Sequence, residues 1–433
     1  MLRFAPSPTG DMHIGNLRVA IFNYIVARQN NEKLLIRIED TDKARNIEGK
    51  DKEILAILDG FGVKYDDVVY QSSNFHIHKE MAKKLLDTKK AFVCFCSEEE
   101  IDKERQKAKE NKKPYRYSGK CENLSSSEVE EKLKENKKFV IRLKKPENSI
   151  KFNDLIKGEF NFSPFDIDSF VILRADLTPT YNFACSIDDM IYDITLVIRG
   201  EDHLSNTPKQ IAIRDALGYE KGIKYAHLPI ILNNEGKKMS KRDNASSVKW
   251  LLEEGFLPEA IVNYLILLGN SFEKEIFTLE EAIEFFDLTK ISRAPAKFDI
   301  EKLKFINKEY MKKIDNLAKR FGVNEVYEDL LKIFRDESST LKEIKEKFDR
   351  VFEKSLDAEF KKEREIIKIE ILENELEDDY NEFKKRIQNN TGLKGKKLFM
   401  PLRELLINEK HGAEIKDLYK VMKPYLKEVI KGR

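Results

Sequence analysis

The start of the chain alternates between short apolar runs and one amphipathic stretch. Residues 2–5 form an apolar-leaning run typical of a strand, and residues 33–38 form a second, β-rich run. Between them, apolar side chains recur at the spacing of one helix face, and these are Leu17, Ala20, Ile21, Tyr24 and Ile25. Strand, helix and strand within so short a span predict a βαβ unit and therefore a parallel sheet.

Later apolar runs extend this sheet, and then the pattern changes. Three of them are predicted as further strands, at residues 181–187, 194–198 and 225–232. Residues 93–185 mix short β-like runs with a highly charged helical stretch, so we interpret them as a domain inserted into the first one. Beyond Trp250 the periodicity is helical, and after about residue 305 strand signals nearly disappear. The pattern predicts an α/β protein that ends in an all-α domain.

Composition narrows the class of protein. A chain of 433 residues with 41% hydrophobic and 36% charged residues is typical of a globular protein with more than one domain. The formal net charge is only +2, so any nucleic-acid surface requires the lysines to be segregated onto one face. No apolar run reaches the length of a membrane span, and the first strand leaves no room for a signal peptide. The chain has only four cysteines, which argues against a secreted disulfide framework. We expect a cytosolic protein.

The loop at residues 6–16 joins the first strand to the first helix. Two prolines exclude regular structure, two glycines allow close approach, and Asn16 is the expected helix N-cap. Free N–H groups and the positive end of the helix dipole, with His13 beside them, are suited to holding phosphate. The alternative is a proline-rich connection that carries a surface histidine. In a parallel sheet, this loop and the acidic cluster at residues 39–42 would lie at the same edge.

A second candidate loop, residues 237–243, follows the predicted strand at 225–232. Its cations are interrupted by Met239 and Ser240, and the alternative is an ordinary solvated basic surface. Lys238 and Lys241 would neutralise the negative charge that develops on a leaving pyrophosphate, while His13 and the helix N-terminus hold the α-phosphate. No covalent nucleophile is needed for such chemistry.

These motifs resemble those of class I aminoacyl-tRNA synthetases, and within them the glutamyl-tRNA synthetase family. His13-Ile14-Gly15-Asn16 resembles the first ATP motif, and Lys238-Met239-Ser240-Lys241-Arg242 resembles the second. The other similar segments are residues 3–10, 37–42, 179–183, 197–203 and 206–208. Together the segments cover most of residues 1–310, in the family's order and spacing. Asn16 stands where the class pattern has histidine, which removes that position as a phosphate ligand.

The resemblance implies a two-step reaction. Glutamate and ATP, the latter with Mg²⁺, give glutamyl-adenylate and pyrophosphate, and the glutamyl group then passes to the 3′-terminal adenosine of tRNA. The resemblance implies a glutamate site formed by Arg3, Ser7, Glu39, Tyr181 and Arg199. It implies an ATP site formed by Pro8, Thr9, His13, Gly15, Lys238, Ser240 and Lys241. His13, Lys238 and Lys241 would be catalytic. Two guanidinium groups would favour a carboxylate over the amide of glutamine.

The resemblance also implies how the chain is divided. A Rossmann-like catalytic domain would comprise residues 1–92 and 186–245, and residues 93–185 would bind the acceptor end of the tRNA. Residues 246–305 would contact the tRNA stem, and residues 306–433 would form the helical anticodon-binding domain. The chain is expected to be a monomer.

Some relatives bind zinc within the insertion, and part of that pattern is present. Cys94, Cys96 and Cys121 would supply three thiolates, but Asn123 stands at the usual histidine position. Tyr117 is the substitute ligand implied by related chains, and it would complete a closed tetrahedral site. The alternative is three buried or free thiols. Cys185 is expected to be a core residue in a strand.

Three alternatives concern the activity itself. A truncated relative that glutamylates a modified tRNA base would lack the helical third, and a non-catalytic RNA-binding paralogue would not need His13, Lys241, Arg3 and Arg199. The short helical third and Asn16 resemble the branch that charges tRNA-Gln with glutamate. We therefore expect charging of tRNA-Gln at least as good as that of tRNA-Glu.

Overall fold

The computed structural model describes residues 1–240, 242–354 and 358–432. The chain forms two compact units, one made of Met1–Val248 and Leu265–Phe298 and the other of Lys249–Tyr264 and Asp299–Arg433. None of the helices described is both long and apolar enough to cross a lipid bilayer.

The first unit is built on one large, mostly parallel sheet. The strands of the chain are β1 (Leu2–Phe4), β2 (Leu34–Ile38), β3 (Asp67–Tyr70), β4 (Ala91–Cys94), β5 (Val140–Leu143), β6 (Ile150–Asp154), β7 (Gly158–Phe162), β8 (Phe170–Leu173), β9 (Leu196–Gly200), β10 (Lys224–Leu228), β11 (Ile231–Leu232) and β12 (Ala296–Lys297). Within the described residues the large sheet has the order β3-β2-β1-β9-β10-β6-β7. Its central strands β1, β2 and β9 are buried almost throughout, because parallel sheets are covered on both faces.

Within the described residues the second unit has no strand, and both units contain α-helices. They are α1 (Ile14–Gln29), α2 (Lys50–Gly60), α3 (Phe75–Asp87), α4 (Glu98–Glu110), α5 (Ser126–Lys134), α6 (Tyr181–Ile191), α7 (Thr207–Ala216), α8 (Val248–Glu253), α9 (Pro258–Leu267), α10 (Leu279–Phe285), α11 (Ile300–Met311), α12 (Leu317–Phe321), α13 (Glu328–Glu337), α14 (Leu341–Arg350), α15 (Lys361–Glu373), α16 (Tyr380–Thr391), α17 (Lys396–Ile407), α18 (Ile415–Met422) and α19 (Leu426–Lys431). The predicted apolar stripe of α1 is buried, and Phe22, Val26 and Ala27 are buried as well. This helix is therefore enclosed almost all round.

Residues 93–185, the predicted insertion, contribute to two sheets. Strand β5 pairs antiparallel with β4 on one side and with β8 on the other, in a separate small sheet. The hairpin β6–β7, in contrast, joins the edge of the large sheet, where Asp154 of β6 pairs with Tyr225 of β10. The boundaries of the predicted domains stay a prediction.

One predicted strand, at residues 181–187, is wrong, and another, at residues 225–232, is continuous only in part. Residues 181–187 lie in the helix α6, so Cys185 is a core residue of a helix and not of a strand. Tyr181, Phe183, Cys185 and Ile187 alternate with period two, but Phe183 and Ile187 also lie one helical turn apart. The run at 225–232 is divided into β10 and β11 because Pro229 has no N–H for a ladder.

Candidate active site

A cavity of about 750 Å³ opens at the carboxyl ends of β1, β9 and β10. Ten of the predicted site residues line it: Arg3, Ser7, Thr9, His13, Gly15, Glu39, Tyr181, Arg199, Lys238 and Ser240. Pro8 does not line the cavity; it is buried, and its carbonyl accepts a hydrogen bond from Ile47 N at 2.9 Å. Lys241 lies outside the described residues.

His13, and not Asn16, is the N-cap of α1. The Nδ1 atom of His13 accepts a hydrogen bond from Gly15 N at 3.0 Å. Asn16 lies inside the helix, with its N–H bonded to the carbonyl of His13, so the predicted cap is wrong. The misassignment arose because asparagine is a commoner cap than histidine. A Cβ at position 15 would lie 3.3 Å from Nδ1, which explains the glycine.

The cap leaves the other ring nitrogen of His13 for the cavity. Nδ1 is an acceptor here, so a neutral imidazole must carry its proton on Nε2. That Nε2 is buried and has no hydrogen-bond partner among the described residues. Burial, and then the nearby Lys238, lowers the pKa of His13, so the ring is neutral near pH 7. The imidazole of His13 therefore offers one N–H donor, at Nε2, to an incoming ligand.

The floor of the cavity contains a buried ion-pair network. Asp189 of α6 accepts from Arg3 Nε at 3.3 Å and from Arg37 Nη1 at 2.5 Å. Arg37 also lies 3.4 Å from Glu39, whose other neighbour is the thiol of Cys185 at 3.1 Å. Burial alone would raise the pKa of Asp189, but Arg37 and Arg3 outweigh it and lower the pKa to about 2. Burial raises the pKa of Glu39.

Arg199 is buried like Arg3 but has neutral partners. Its Nε, Nη1 and Nη2 atoms donate to His227 Nε2 at 3.1 Å, Gln210 Oε1 at 2.9 Å and Thr207 Oγ1 at 2.7 Å. Within the described ranges, these bonds use three of its five N–H groups and none goes to a carboxylate. The guanidinium therefore keeps its charge and two N–H groups for an anion in the cavity.

Tyr181 and Ser7, two further predicted residues, also line the cavity. Tyr181, the first residue of α6, places its hydroxyl 3.1 Å from Nδ1 of His203. Burial raises the pKa of Tyr181, and burial, followed by Arg199, lowers the pKa of His203 to about 4. Both rings are thus neutral near pH 7. Ser7 is exposed at the mouth of the cavity.

The second basic loop is fixed in place at Met239. Met239 is buried, and its N–H donates to the carbonyl of Ile231 at 2.9 Å. Lys238 and Ser240 on either side are exposed, and Lys238 Nζ lies 3.1 Å from Asp202 Oδ2. Gly200 permits this arrangement, since a Cβ there would lie 2.6 Å from Asp202 Oδ1. The burial of Met239 next to the exposed Lys238 directs this cation to the cavity rim.

Known proteins are similar to this chain over most or all of its length. Residues 1–305 match the family described as tRNA synthetases class I (E and Q), catalytic domain. The chain belongs to this family of class I tRNA synthetases. Glutamate--tRNA ligase 1 of a Nitratiruptor species is 61% identical over 433 residues, which span 99% of this chain and 100% of that protein. Glutamate--tRNA ligase 1 of Campylobacter concisus (strain 13826) is 55% identical over the same shares.

A solved structure of a glutamate tRNA ligase has the same fold as this chain. The crystal structure of a glutamate tRNA ligase from Elizabethkingia meningosepticum CCUG26117, in complex with its amino acid, matches with a TM-score of 0.85 and 29% identity. The match covers 99% of this chain and 98% of that one. The predicted fold class, a Rossmann-like parallel-sheet catalytic domain followed by a helical region, is confirmed.

A cysteine cluster lies apart from the cavity of this class I synthetase. The Sγ atoms of Cys94, Cys96 and Cys121 lie within 4.8 Å of one another, with Cys96 and Cys121 at 3.6 Å. Tyr117 Oη lies 3.4 Å from Cys94 Sγ and 3.5 Å from Cys96 Sγ. Sulfur ligands at the usual zinc distance would be about 3.8 Å apart in a tetrahedron, so the four atoms fit that ion. Asn123, at the usual histidine position, is exposed.

Three buried residues that contact the arginines of the cavity, directly or through one another, were missed by sequence reasoning. Asp189 was hidden because residues 181–187 were interpreted as a strand, although two consecutive aspartates after an apolar run were a usable signal. Asp154 and His227 are 73 positions apart, and the pairing of β6 with β10 brings them together. That pairing has no local signature in the sequence.

Proposed function

We propose that this chain ligates L-glutamate to the 3′-terminal adenosine of tRNA in two ATP-dependent steps. An α-carboxylate oxygen of glutamate attacks the α-phosphorus of ATP, which forms glutamyl-adenylate and releases pyrophosphate. A ribose hydroxyl of the terminal adenosine then attacks the acyl carbon, which releases AMP. Buried, charged Arg199 with neutral partners is the observation that carries the proposal, since it creates a site for a carboxylate.

Recognition of glutamate is assigned to the floor of the cavity. Arg199 would bind the side-chain carboxylate through its two remaining N–H groups, and Arg3 would add a second positive charge. Glu39 would accept from the α-ammonium, while Tyr181 lines the pocket and Ser7 borders its mouth. Glutamine would leave Arg199 without a counter-charge, a difference that can separate substrates by several powers of ten.

Recognition of ATP is assigned to the start of α1 and the second basic loop. His13 would donate its Nε2–H to a phosphate oxygen, next to the positive end of the helix dipole. Gly15 allows the phosphates to approach the backbone, and Thr9 and Ser240 line the same cavity. Lys238, with Lys241, would neutralise charge on the departing pyrophosphate, whose Mg²⁺ arrives with ATP.

Zinc, where bound, would have a structural role. Cys94, Cys96, Tyr117 and Cys121 would hold it, and they lie on segments that are separate in sequence. The ion would fix the loops around β4 and would supply no step of the reaction. Arg142 Nε donates to Cys94 Sγ at 3.4 Å and places a positive charge beside the anionic cluster.

The remaining proposals concern tRNA recognition, the oligomeric state and the cellular location. The helical unit would bind the anticodon region of the tRNA, through basic residues on phosphates and aromatic residues on splayed bases. The chain would charge tRNA-Gln at least as well as tRNA-Glu, a proposal supported by its short helical third and by Asn16. We further propose that it acts as a monomer in the cytoplasm.

Glutamate-dependent exchange between ATP and pyrophosphate tests the main proposal. The purified chain is assayed with glutamate, with glutamine and with no amino acid, each with and without tRNA. Exchange that requires glutamate supports the proposal, and absence of exchange with every tRNA tested overturns it. Transfer of glutamate to a tRNA internal base, detected by its persistence after mild alkaline deacylation, would favour base modification instead.

A further inference from the structure

Arg199 ends a chain of three buried side chains that begins on a different strand. Asp154 Oδ2, at the end of β6, lies 2.6 Å from His227 Nδ1. Because a carboxylate only accepts, Nδ1 carries the imidazole proton and Nε2 is a lone pair. Nε2 then accepts from Arg199 Nε at 3.1 Å and from the hydroxyl of Thr207 at 3.1 Å. Each polar atom in the chain thus has a defined role as donor or acceptor.

Asp154 is itself fixed by its local backbone. Its Oδ1 accepts from Ile156 N at 3.0 Å and Lys157 N at 2.8 Å, in the turn between β6 and β7. Its Oδ2 also accepts from His227 N at 3.0 Å. The carboxylate therefore has a full set of partners and cannot rotate without losing several bonds. This rigidity is transmitted to the imidazole, whose orientation it determines.

The use of an imidazole in this place has an electrostatic consequence. Arg3 and Arg37 share the carboxylate of Asp189, so much of their charge is neutralised inside the protein. Arg199 is held instead by a neutral ring, and the nearest carboxylate in its chain, Asp154, lies beyond that ring. The arrangement fixes the direction of the guanidinium and leaves its charge available to a ligand.

We propose that His227 and Asp154 are positioning residues that orient Arg199 towards the side-chain carboxylate of the amino acid and thereby set the preference for glutamate over glutamine. This inference rests on the proposed function of Arg199. It adds Asp154 of β6 and His227 of β10 to the site, and neither residue was assigned to the site from the sequence.

Exchange kinetics of His227→Ala, His227→Gln and Asp154→Asn, with tRNA present, test the proposal. We expect His227→Ala to raise KM for glutamate roughly tenfold to a hundredfold, as for the loss of a hydrogen bond to a charged group. KM for ATP should stay within about twofold, and the glutamate-to-glutamine ratio of kcat/KM should fall about tenfold or more. His227→Gln should recover part of the loss, because its amide oxygen can accept from Arg199. Asp154→Asn should give a smaller loss in the same direction.

His78→Ala is the matched control. His78 is also a buried imidazole, paired with Asp188 at 2.9 Å, and it is not among the residues that line the cavity. It should lower the melting temperature but leave the substrate ratio unchanged. The proposal is overturned if His227→Ala leaves KM and the ratio unchanged, if Ala and Gln variants are equally impaired for both substrates, or if His78→Ala shifts the ratio as much. A wild-type chain without glutamate-dependent exchange would instead overturn the proposed function.

Discussion

The imidazole of His13 caps the helix that follows it, with Nδ1 3.0 Å from the backbone nitrogen of Gly15. One ring nitrogen therefore stabilises α1, while the other, Nε2, lies in the cavity without a described partner. The two roles require one tautomer, because protonation of Nδ1 would remove the cap. The helix cap and the proposed phosphate contact thus belong to one side chain, and substitution can separate them.

The first prediction separates these roles. His13→Ala should lose about 1 kcal/mol of helix capping together with the phosphate donor. His13→Asn should keep the cap, since asparagine is a good N-cap, but should lose the donor. Both should lower exchange activity about a hundredfold or more. Melting temperature and exchange rate are measured for each, with Thr278→Ala, which removes the cap of α10, as the control that loses stability alone. An active His13→Asn variant would contradict the assignment.

The second prediction concerns the shape of the guanidinium. Arg199→Lys keeps the charge but cannot bind His227, Gln210 and Thr207 together. We expect kcat/KM for glutamate to fall at least about a hundredfold, as for a damaged buried contact of a charged group. The exposed Arg105→Lys is the control and should have no effect. A lysine variant with near wild-type kcat/KM would show that only charge matters at this position.

The third prediction concerns Asp189 and pH. Its folded pKa of about 2 lies below its ordinary value of 3.8, so the folded state binds fewer protons than the unfolded chain in this interval. The stabilisation, about 2 kcal/mol from this shift, is present above pH 4 and is lost as pH falls towards 2.

Asp189→Asn should cost several kcal/mol near neutral pH, because two buried arginines lose their partner. The difference between this variant and wild type in the free energy of unfolding, measured with urea, should narrow from pH 5 towards pH 3. Asp193→Asn removes an exposed ion pair with Lys221 and should cost under about 1 kcal/mol at every pH. A constant difference for Asp189→Asn would contradict the low pKa.

The fourth prediction concerns zinc. The purified chain should contain about one zinc ion per molecule by mass spectrometry, and Cys121→Ser should lower that content several-fold. Cys185→Ser is the matched control, since this thiol faces Glu39 and not the cluster. Equal and negligible zinc in all three proteins would favour free thiols.

The fifth prediction concerns the tRNA. Initial charging rates with purified tRNA-Gln and tRNA-Glu transcripts should be at least as high for tRNA-Gln. A clear preference for tRNA-Glu would refute the proposal, and it would leave the chemistry of glutamate activation intact.

Much of the site could be predicted from sequence because its motifs follow strands. The parallel sheet brings the ends of β1, β9 and β10 together, so Arg3, His13 and Arg199 were expected to converge, and all three line the cavity. The cap of α1 was misplaced because the propensities of single residues do not include the ring geometry of His13. The interpretation of α6 failed because seven residues satisfy both the strand and the helix period.

The two residues that hold Arg199, Asp154 and His227, could not be predicted from the sequence for a different reason. The positions of Asp154 and His227 depend on which strand lies beside β10, and this is a property of the completed sheet. No spacing in the chain encodes it, so the contact is visible only in three dimensions.

The position of the β6–β7 hairpin bears on how hybrid enzymes should be assembled from relatives of this family. An exchange of residues 93–185 as one block would import a foreign Asp154 and its turn beneath a native Arg199. A junction that leaves residues 150–162 with the parallel sheet would keep that contact within one parent. A hybrid that exchanges all of residues 93–185 and a hybrid that keeps residues 150–162 with the parallel sheet would thus differ at this contact.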